Sequence, residues 1–145
     1  HAKHYAEKMI KELGLNAQSL VIEVASNDGY LLKNFVAAGI PCLGIEPTDS
    51  TAAAAERLGI PVLREFFGEA LGKRLTAKGQ QADLIAGNNV YAHVPDINDF
   101  VAGFAVLLKM SAPDDDLDRL KRLDGFPITD EQVRSAQERA NREPF

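Results

Sequence analysis

Three positions in this chain carry polar groups where apolar, strand-like runs come to an end: Glu23, Glu46 and the pair Asn88-Asn89. A carboxylate at the carboxyl end of a buried strand is costly unless it is paired or aimed at a ligand. Two of them, one closing each of the first two strand-like runs, suit a ligand with a cationic amino-acid end and a ribose diol. Glu23 then helps to place the cationic end, directly or through the loop backbone, and Glu46 accepts both hydroxyls of the diol. Between the first strand and the next helix lies Ala25-Ser26-Asn27-Asp28-Gly29, a tight turn in which Gly29 allows positive φ or close approach to a ligand. His93 adds an imidazole, a side chain that can both donate and accept a hydrogen bond, with Tyr91 close by in sequence. Three of these positions also have a plainer reading: Glu23 as an exposed residue beyond the true strand boundary, Glu46 as a cap for the following helix, and His93 as a loop residue bonded to backbone near Pro95.

Rival phosphate-binding signatures fit poorly. A dinucleotide fingerprint needs G-x-G-x-x-G after the strand, and Ala25 and Asn27 occupy the places of its first two glycines. The Gly-Lys-Ser/Thr of a phosphate-gripping loop does not follow the turn.

The elements that must position these groups alternate between helix and strand. Ala2 to Leu13 places Tyr5, Met9, Ile10 and Leu13 on one helical stripe, closed by Gly14. Leu20, Val21, Ile22 and Val24 form a β-branched, apolar first strand of the kind covered on both faces in a parallel sheet. Leu31, Leu32, Phe35 and Val36 recur at helical spacing up to Gly39, and Cys42 to Glu46 is a second strand. Thr48, Asp49 or Ser50 can cap a helix containing Ala52 to Leu58, and Val62-Leu63 is a short third strand. Glu69 to Lys78 then reads as a helix with Ala70, Leu71 and Leu75 inward, and Asp83 to Gly87 as a fourth strand. After a loop, Asp96 caps a helix with the stripe Ile97, Phe100, Val101, Phe104, Leu107 and Leu108. This order predicts an α/β fold, a doubly wound, Rossmann-like parallel sheet of about four strands flanked by helices, which binds ligands beyond the carboxyl ends of its strands.

Composition sets outer bounds. A chain of 145 residues with 46% hydrophobic and 26% charged content can bury a core without disulfide or metal support. A net charge of −5 speaks against an unspecific nucleic-acid surface. The single cysteine, Cys42, falls inside a predicted strand as a small hydrophobe and suits a reducing cytoplasm. No apolar run approaches a membrane span, the amino end lacks a signal-peptide pattern, and a chain opening at His1 rather than Met is expected to start upstream. The histidines His1 and His4 have no metal-ligand partners nearby in sequence, so no metal site is expected. From Met110 to Phe145 the composition changes to nine acidic and six basic residues without a strand-like run. That places a domain over 1–109 and an acidic helical tail over 110–145, whose last helix opens with the capping-box pair Thr129 and Gln132.

Glu-Val-Ala-Ser-Asn-Asp-Gly-Tyr-Leu-Leu (Glu23 to Leu32), Gly-Ile-Glu-Pro (Gly44 to Pro47), Phe66-Phe67 and Asn89 to Asp96 together resemble the class I S-adenosylmethionine-dependent methyltransferases. More narrowly, they resemble the sugar C-methyltransferases that act on nucleotide-linked keto-deoxysugars. The resemblance runs from Tyr5 to about Lys109. It implies that Glu23, Ala25, Ser26, Asn27, Asp28, Gly29 and Tyr30 wrap the methionine portion of S-adenosylmethionine, and that Glu46, followed by Pro47, holds the ribose. It further implies that Glu65-Phe66-Phe67 lies beside adenine, that Asn88, Asn89 and Val90 line the methyl-donor side, and that His93 faces a small-molecule substrate, a nucleotide-linked sugar. Any one phenylalanine is equally a core residue.

The chain departs from that family in three ways. The sequence given holds one cysteine where the family carries a cysteine-rich zinc-binding region, and after Lys109 it turns to Met-Ser-Ala-Pro-Asp-Asp-Asp where the family continues into a fifth strand and then a large carboxyl-terminal domain with the substrate contacts and the base, a pattern expected of a truncated, frameshifted or fused product. Two readings therefore stand: an S-adenosylmethionine-dependent methyltransferase, or a cofactor-binding or interaction module without turnover. A sheet that stops at its fourth strand leaves an edge, which the tail helices or a second copy in a homo-oligomer would shield.

Overall fold

The computed structural model describes residues 1–88 and 90–109. The expected acidic tail over 110–145, with its capping-box helix, and Asn89 lie outside the described residues. Among the described residues, four strands follow the order β3-β2-β1-β4 in one sheet, so the predicted α/β architecture is present. The strand sequence reverses at β1, whose carboxyl end carries the Ala25–Gly29 turn. The chain divides into two compact units, His1–Phe66 and Phe67–Phe145.

In the first unit, α1 (Ala2–Leu13) stops where Gly14 adopts φ +61° and donates to the Ile10 carbonyl. Leu15, buried just beyond, donates to the same oxygen at 3.0 Å, which ties off the last turn. β1 (Val21–Val24), β2 (Cys42–Ile45) and β3 (Val62–Leu63) pair in parallel, with Glu23 opposite Gly44 and Gly44 opposite Val62. Every residue of β1 and β2 is buried, which is why both strands are nearly continuous apolar runs. α2 (Leu32–Ala37) and α3 (Asp49–Arg57) connect these strands and bury Leu32, Phe35, Ala52 and Ala55. Cys42 packs in β2, as its sequence context predicts. Burial, with Glu23 as a second cause, pushes its thiol up to about 12.

The second unit contains α4 (Glu69–Ala77), β4 (Leu84–Ala86), a 3₁₀ turn at Tyr91–His93 and α5 (Ile97–Leu107). Asp96 caps α5 as expected, Oδ1 accepting the N–H groups of Asn98 and Asp99 at 3.0 and 3.1 Å. Two expectations need correction. Ala70 is exposed, and Gly72 joins Leu71 and Leu75 on the buried face of α4. The cause is a close helix crossing: a Cβ on Gly72 would lie 2.7 Å from the Gly103 carbonyl oxygen, so a residue without a side chain occupies the contact. α5 also carries no mere stripe, since Phe100 to Leu107 are all buried. Leu108 has left the helix to form a parallel bridge with Ala82, where Ala82 donates to the Leu107 carbonyl and Lys109 donates to the Ala82 carbonyl, both at 2.8 Å. The Lys109 ammonium closes on Asp83 Oδ2 at 2.9 Å. No helix among the described residues is long and apolar enough to cross a membrane, and no cluster of metal-ligating side chains occurs among them.

Candidate functional site

The turn after β1 has an unusual backbone. Ala25 and Asn27 adopt φ +56° and +49°, and Gly29 adopts φ +82°. Left-handed backbone is the habit of glycine, is tolerated by asparagine, and costs alanine of the order of 1 kcal/mol. The two positions where glycines are missing from a glycine-rich fingerprint therefore keep a glycine-like conformation. Such strain persists only where neighbours enforce it, and it gathers at ligand clamps.

The neighbours are identifiable. Ser26 donates its N–H to the Ile45 carbonyl at 3.2 Å, Gly29 donates to the Ser26 carbonyl at 3.0 Å, and the Asn27 side-chain amide donates to the Ala25 carbonyl at 3.0 Å. Asp28 Oδ1 accepts from the Tyr30 N–H at 3.2 Å. Gly29 cannot carry a side chain, since a Cβ would collide with Ile60 Cδ1 and lie 3.2 Å from Ala55 Cβ.

Glu46 holds the turn from the second strand. It is 5% exposed; Oε2 accepts the Asn27 N–H at 3.1 Å and Oε1 accepts the Thr48 N–H at 2.9 Å. Its own N–H donates to the Leu63 carbonyl at 2.9 Å. Glu46 thus does meet the start of α3, whose N-cap Thr48 makes no side-chain cap bond. A carboxylate has about four lone-pair sites, so one N–H on each oxygen leaves acceptor capacity on both. That donor-free remainder fits a diol.

Glu23 is 4% exposed inside β1, and the parallel register sets it level with Gly44. Ser26 is 2% exposed and stands over the same glycine: a Cβ on Gly44 would lie 2.5 Å from Ser26 Oγ. This hydroxyl finds no hydrogen-bond partner among the described residues. A buried polar atom in that condition marks a place where water or a ligand group completes the bonding. Tyr30 is exposed beyond the turn, with the Lys33 ammonium 5.0 Å from its ring centroid.

The remaining sequence candidates occupy different settings. Phe66 is 86% exposed. Phe67 packs edge-on against Phe100 and Phe104, at centroid distances of 5.4 and 5.1 Å. Asn88 is exposed at the end of β4, Val90 is half-buried, Tyr91 opens the 3₁₀ turn, and His93 closes it, exposed, with its N–H on the Val90 carbonyl at 3.1 Å. Sequence reasoning did not find the Thr48 N–H or the close approach of Ser26 to Gly44. Glycine inside an apolar strand, at Gly44, was the available signal for the second.

No family model matches the chain. It is 30% identical over 114 residues to the C-methyltransferase NovU of Streptomyces niveus, covering 79% of this chain and 26% of that protein. Among solved structures, it matches the sugar N-methyltransferase KedS8 from a Streptoalloteichus species with a TM-score of 0.55 and 19% identity, over 74% of this chain and 43% of that one. The chain carries the class I S-adenosylmethionine-dependent methyltransferase fold. A second methyltransferase match, S-adenosylmethionine-bound CalS10 from Micromonospora echinaspora, an amino pentose methyltransferase, gives a TM-score of 0.55 at 16% identity, over 75% of this chain and 47% of that one. The Bacillus protein YcgJ gives the same TM-score at 18% identity, over 74% and 47%. The methyltransferase fold here thus spans 26% of the curated relative's length and less than half of each of these structures.

Proposed function

We propose that this chain is the cofactor-binding part of an S-adenosylmethionine-dependent methyltransferase that C-methylates a nucleotide-linked keto-sugar in a reducing cytoplasm. The observation that carries the reading is the Glu46 carboxylate, which is buried, fixed through Asn27 and Thr48, and still able to accept from a diol. Similarity to a C-methyltransferase supports carbon as the acceptor, and sugar methyltransferases among the fold relatives support a sugar substrate.

In this reading Glu46 and Pro47 take the ribose, and Ala25 to Tyr30 with Glu23 take the methionyl end. Ser26 Oγ supplies a hydroxyl to complete that contact, and Phe66 offers an aromatic face to adenine. Asn88, Asn89 and Val90 border the methyl-donor side. S-adenosylmethionine, when bound, supplies an electrophilic methyl group. His93, with Tyr91 as its neighbour, binds the sugar or assists the proton transfer that makes the carbon beside the ketone a nucleophile, the base itself belonging to the region that the family carries beyond the position of Lys109.

Isothermal titration of the 145-residue chain with S-adenosylmethionine, S-adenosylhomocysteine and NAD tests the binding. The expected result is binding of the first two and none of NAD; absence of any binding to the sulfonium and thioether ligands overturns the reading. Turnover is assayed separately with a keto-sugar nucleotide, where an unchanged rate in His93→Ala removes His93 from the reaction.

A further inference from the structure

Arg64, the first residue after β3, reaches back to both ends of α3 within the first unit. Its Nη2 donates to Glu56 Oε2 at 2.7 Å in the last turn of the helix, and its Nη1 pairs with Asp49 Oδ1 at 3.5 Å on the first residue. The two carboxylates stand about two helical turns apart and so share one face of α3, where a single planar guanidinium spans them. The Arg64 side chain is 41% exposed, and an isolated ion pair of that kind contributes little. What the pair connects is more telling. Glu46 donates its N–H at 2.9 Å to the carbonyl of Leu63, the residue before Arg64, and its Oε1 accepts at 2.9 Å the N–H of Thr48, the residue before Asp49.

These contacts close a ring. From Glu46 Oε1 the path runs through Thr48 to Asp49, across the ion pair to Arg64, back one residue to Leu63, and through the Leu63 carbonyl to the Glu46 N–H. The side chain and the backbone of one residue are thus tied to the two sides of a single ion pair. The Thr48 peptide is also held from behind, since its carbonyl accepts the Ala52 N–H and the Thr51 hydroxyl, both at 3.0 Å. A helix needs none of this for its own sake. An acidic residue in the first turn already complements the helix dipole without reaching for a distant arginine. The arginine adds a fixed position for the segment that meets Glu46 Oε1.

We infer that Arg64 is a positioning residue for the Glu46 carboxylate: by holding Asp49 it sets the Thr48 N–H that orients Oε1, and so fixes which lone pairs of Glu46 are left for the ribose diol. The inference rests on the cofactor reading above. Arg64 acts through the Thr48–Asp49 backbone and not on the ligand.

The test is a pair of double-mutant cycles on the full chain, read by isothermal titration with S-adenosylhomocysteine and accompanied by thermal melts. Arg64→Met, which keeps the apolar stem and removes the guanidinium, is expected to weaken binding about threefold, the scale of an exposed ion pair. Asp49→Ala is expected to weaken it by a similar factor, and the two changes together by no more than either alone, because both open the same ring. In the Glu46→Ala background, Arg64→Met is expected to cost nothing further, since the carboxylate it orients is gone. A merely stabilising ion pair would lower the melting temperature and either leave affinity unchanged or weaken it equally with and without Glu46, and each of those results overturns the inference. Additive losses from Arg64→Met and Asp49→Ala also overturn it. Failure of the parent chain to bind S-adenosylhomocysteine, or Glu46→Ala binding as tightly as the parent, is the separate failure of the cofactor reading.

Discussion

The N–H of Asn27 and Oε2 of Glu46 meet at 3.1 Å across 19 positions of sequence, so a residue in left-handed backbone is held by the carboxylate that follows β2. The loop proposed to grip one end of the ligand and the side chain proposed to grip its ribose are thus one hydrogen-bonded unit. Disturbing either should be felt by the other.

Glu46→Gln keeps one acceptor oxygen but loses the charge, and Glu46→Ala loses both acceptors. Hydrogen bonds to charged groups contribute about 1.5–3 kcal/mol. Isothermal titration should show affinity for S-adenosylhomocysteine falling about tenfold or more in Glu46→Ala, with a smaller loss in Glu46→Gln. Equal affinities across the three proteins would remove Glu46 from the ribose.

Ala25 can be probed through its backbone alone. At φ +56°, a β-branched side chain is strongly disfavoured, so Ala25→Val should lower unfolding free energy by about 1–2 kcal/mol. Ala25→Gly should stay within about 0.5 kcal/mol of the parent, because relief of strain offsets the extra freedom of the unfolded chain. Urea denaturation gives both numbers, and a tolerated valine would contradict the left-handed geometry.

Ser26 and Gly44 form a steric pair, since any Cβ at position 44 meets Ser26 Oγ at 2.5 Å. Gly44→Ala should cost about 1–3 kcal/mol as an overpacked core does. Adding Ser26→Ala, which removes the colliding oxygen, should recover a large part of that loss. Additive destabilisation in the double variant would show that the two positions do not meet.

Cys42 gives a prediction in alkali. The folded thiol is pushed from 9.0 up to about 12 by burial and by Glu23, so between those values the folded chain keeps a proton that the unfolded chain has lost. Stability from this group is intact below pH 9 and falls as pH rises toward 12, at up to about 1.4 kcal/mol per pH unit. Cys42→Ala should show a shallower decline than the parent over that window; parallel curves would count against the assignment. The same protonation predicts slow reaction of the folded chain with thiol reagents at neutral pH.

Much of the fold was legible because its signals are local. The apolar runs at Val21–Val24 and Cys42–Ile45 could hardly be anything but buried strands, and Gly14 and Gly39 stop their helices in the left-handed conformation that glycine favours. Asp96 announced the start of α5 for the same kind of reason. What stayed hidden depends on distant partners. Nothing near Ala70 says that Gly72 will face Gly103 of α5, and an alanine at position 25 gives no hint of positive φ. Phe66 and Phe67 are equivalent in sequence, and only Phe100 and Phe104 decide which of them turns inward. At Glu46 the capping and the ligand readings looked like rivals, yet a carboxylate with one N–H on each oxygen can serve both.

The crossing of α4 and α5 at Gly72 and Gly103 brings main chain against main chain. Ordinary helix pairs are separated by interlocking side chains, which can change rotamer and absorb a perturbation. Here that cushion is absent, so even one added methyl group must be accommodated by moving a whole helix, and a shift at either glycine would be carried along α4 toward Gly68 and along α5 toward Asp99.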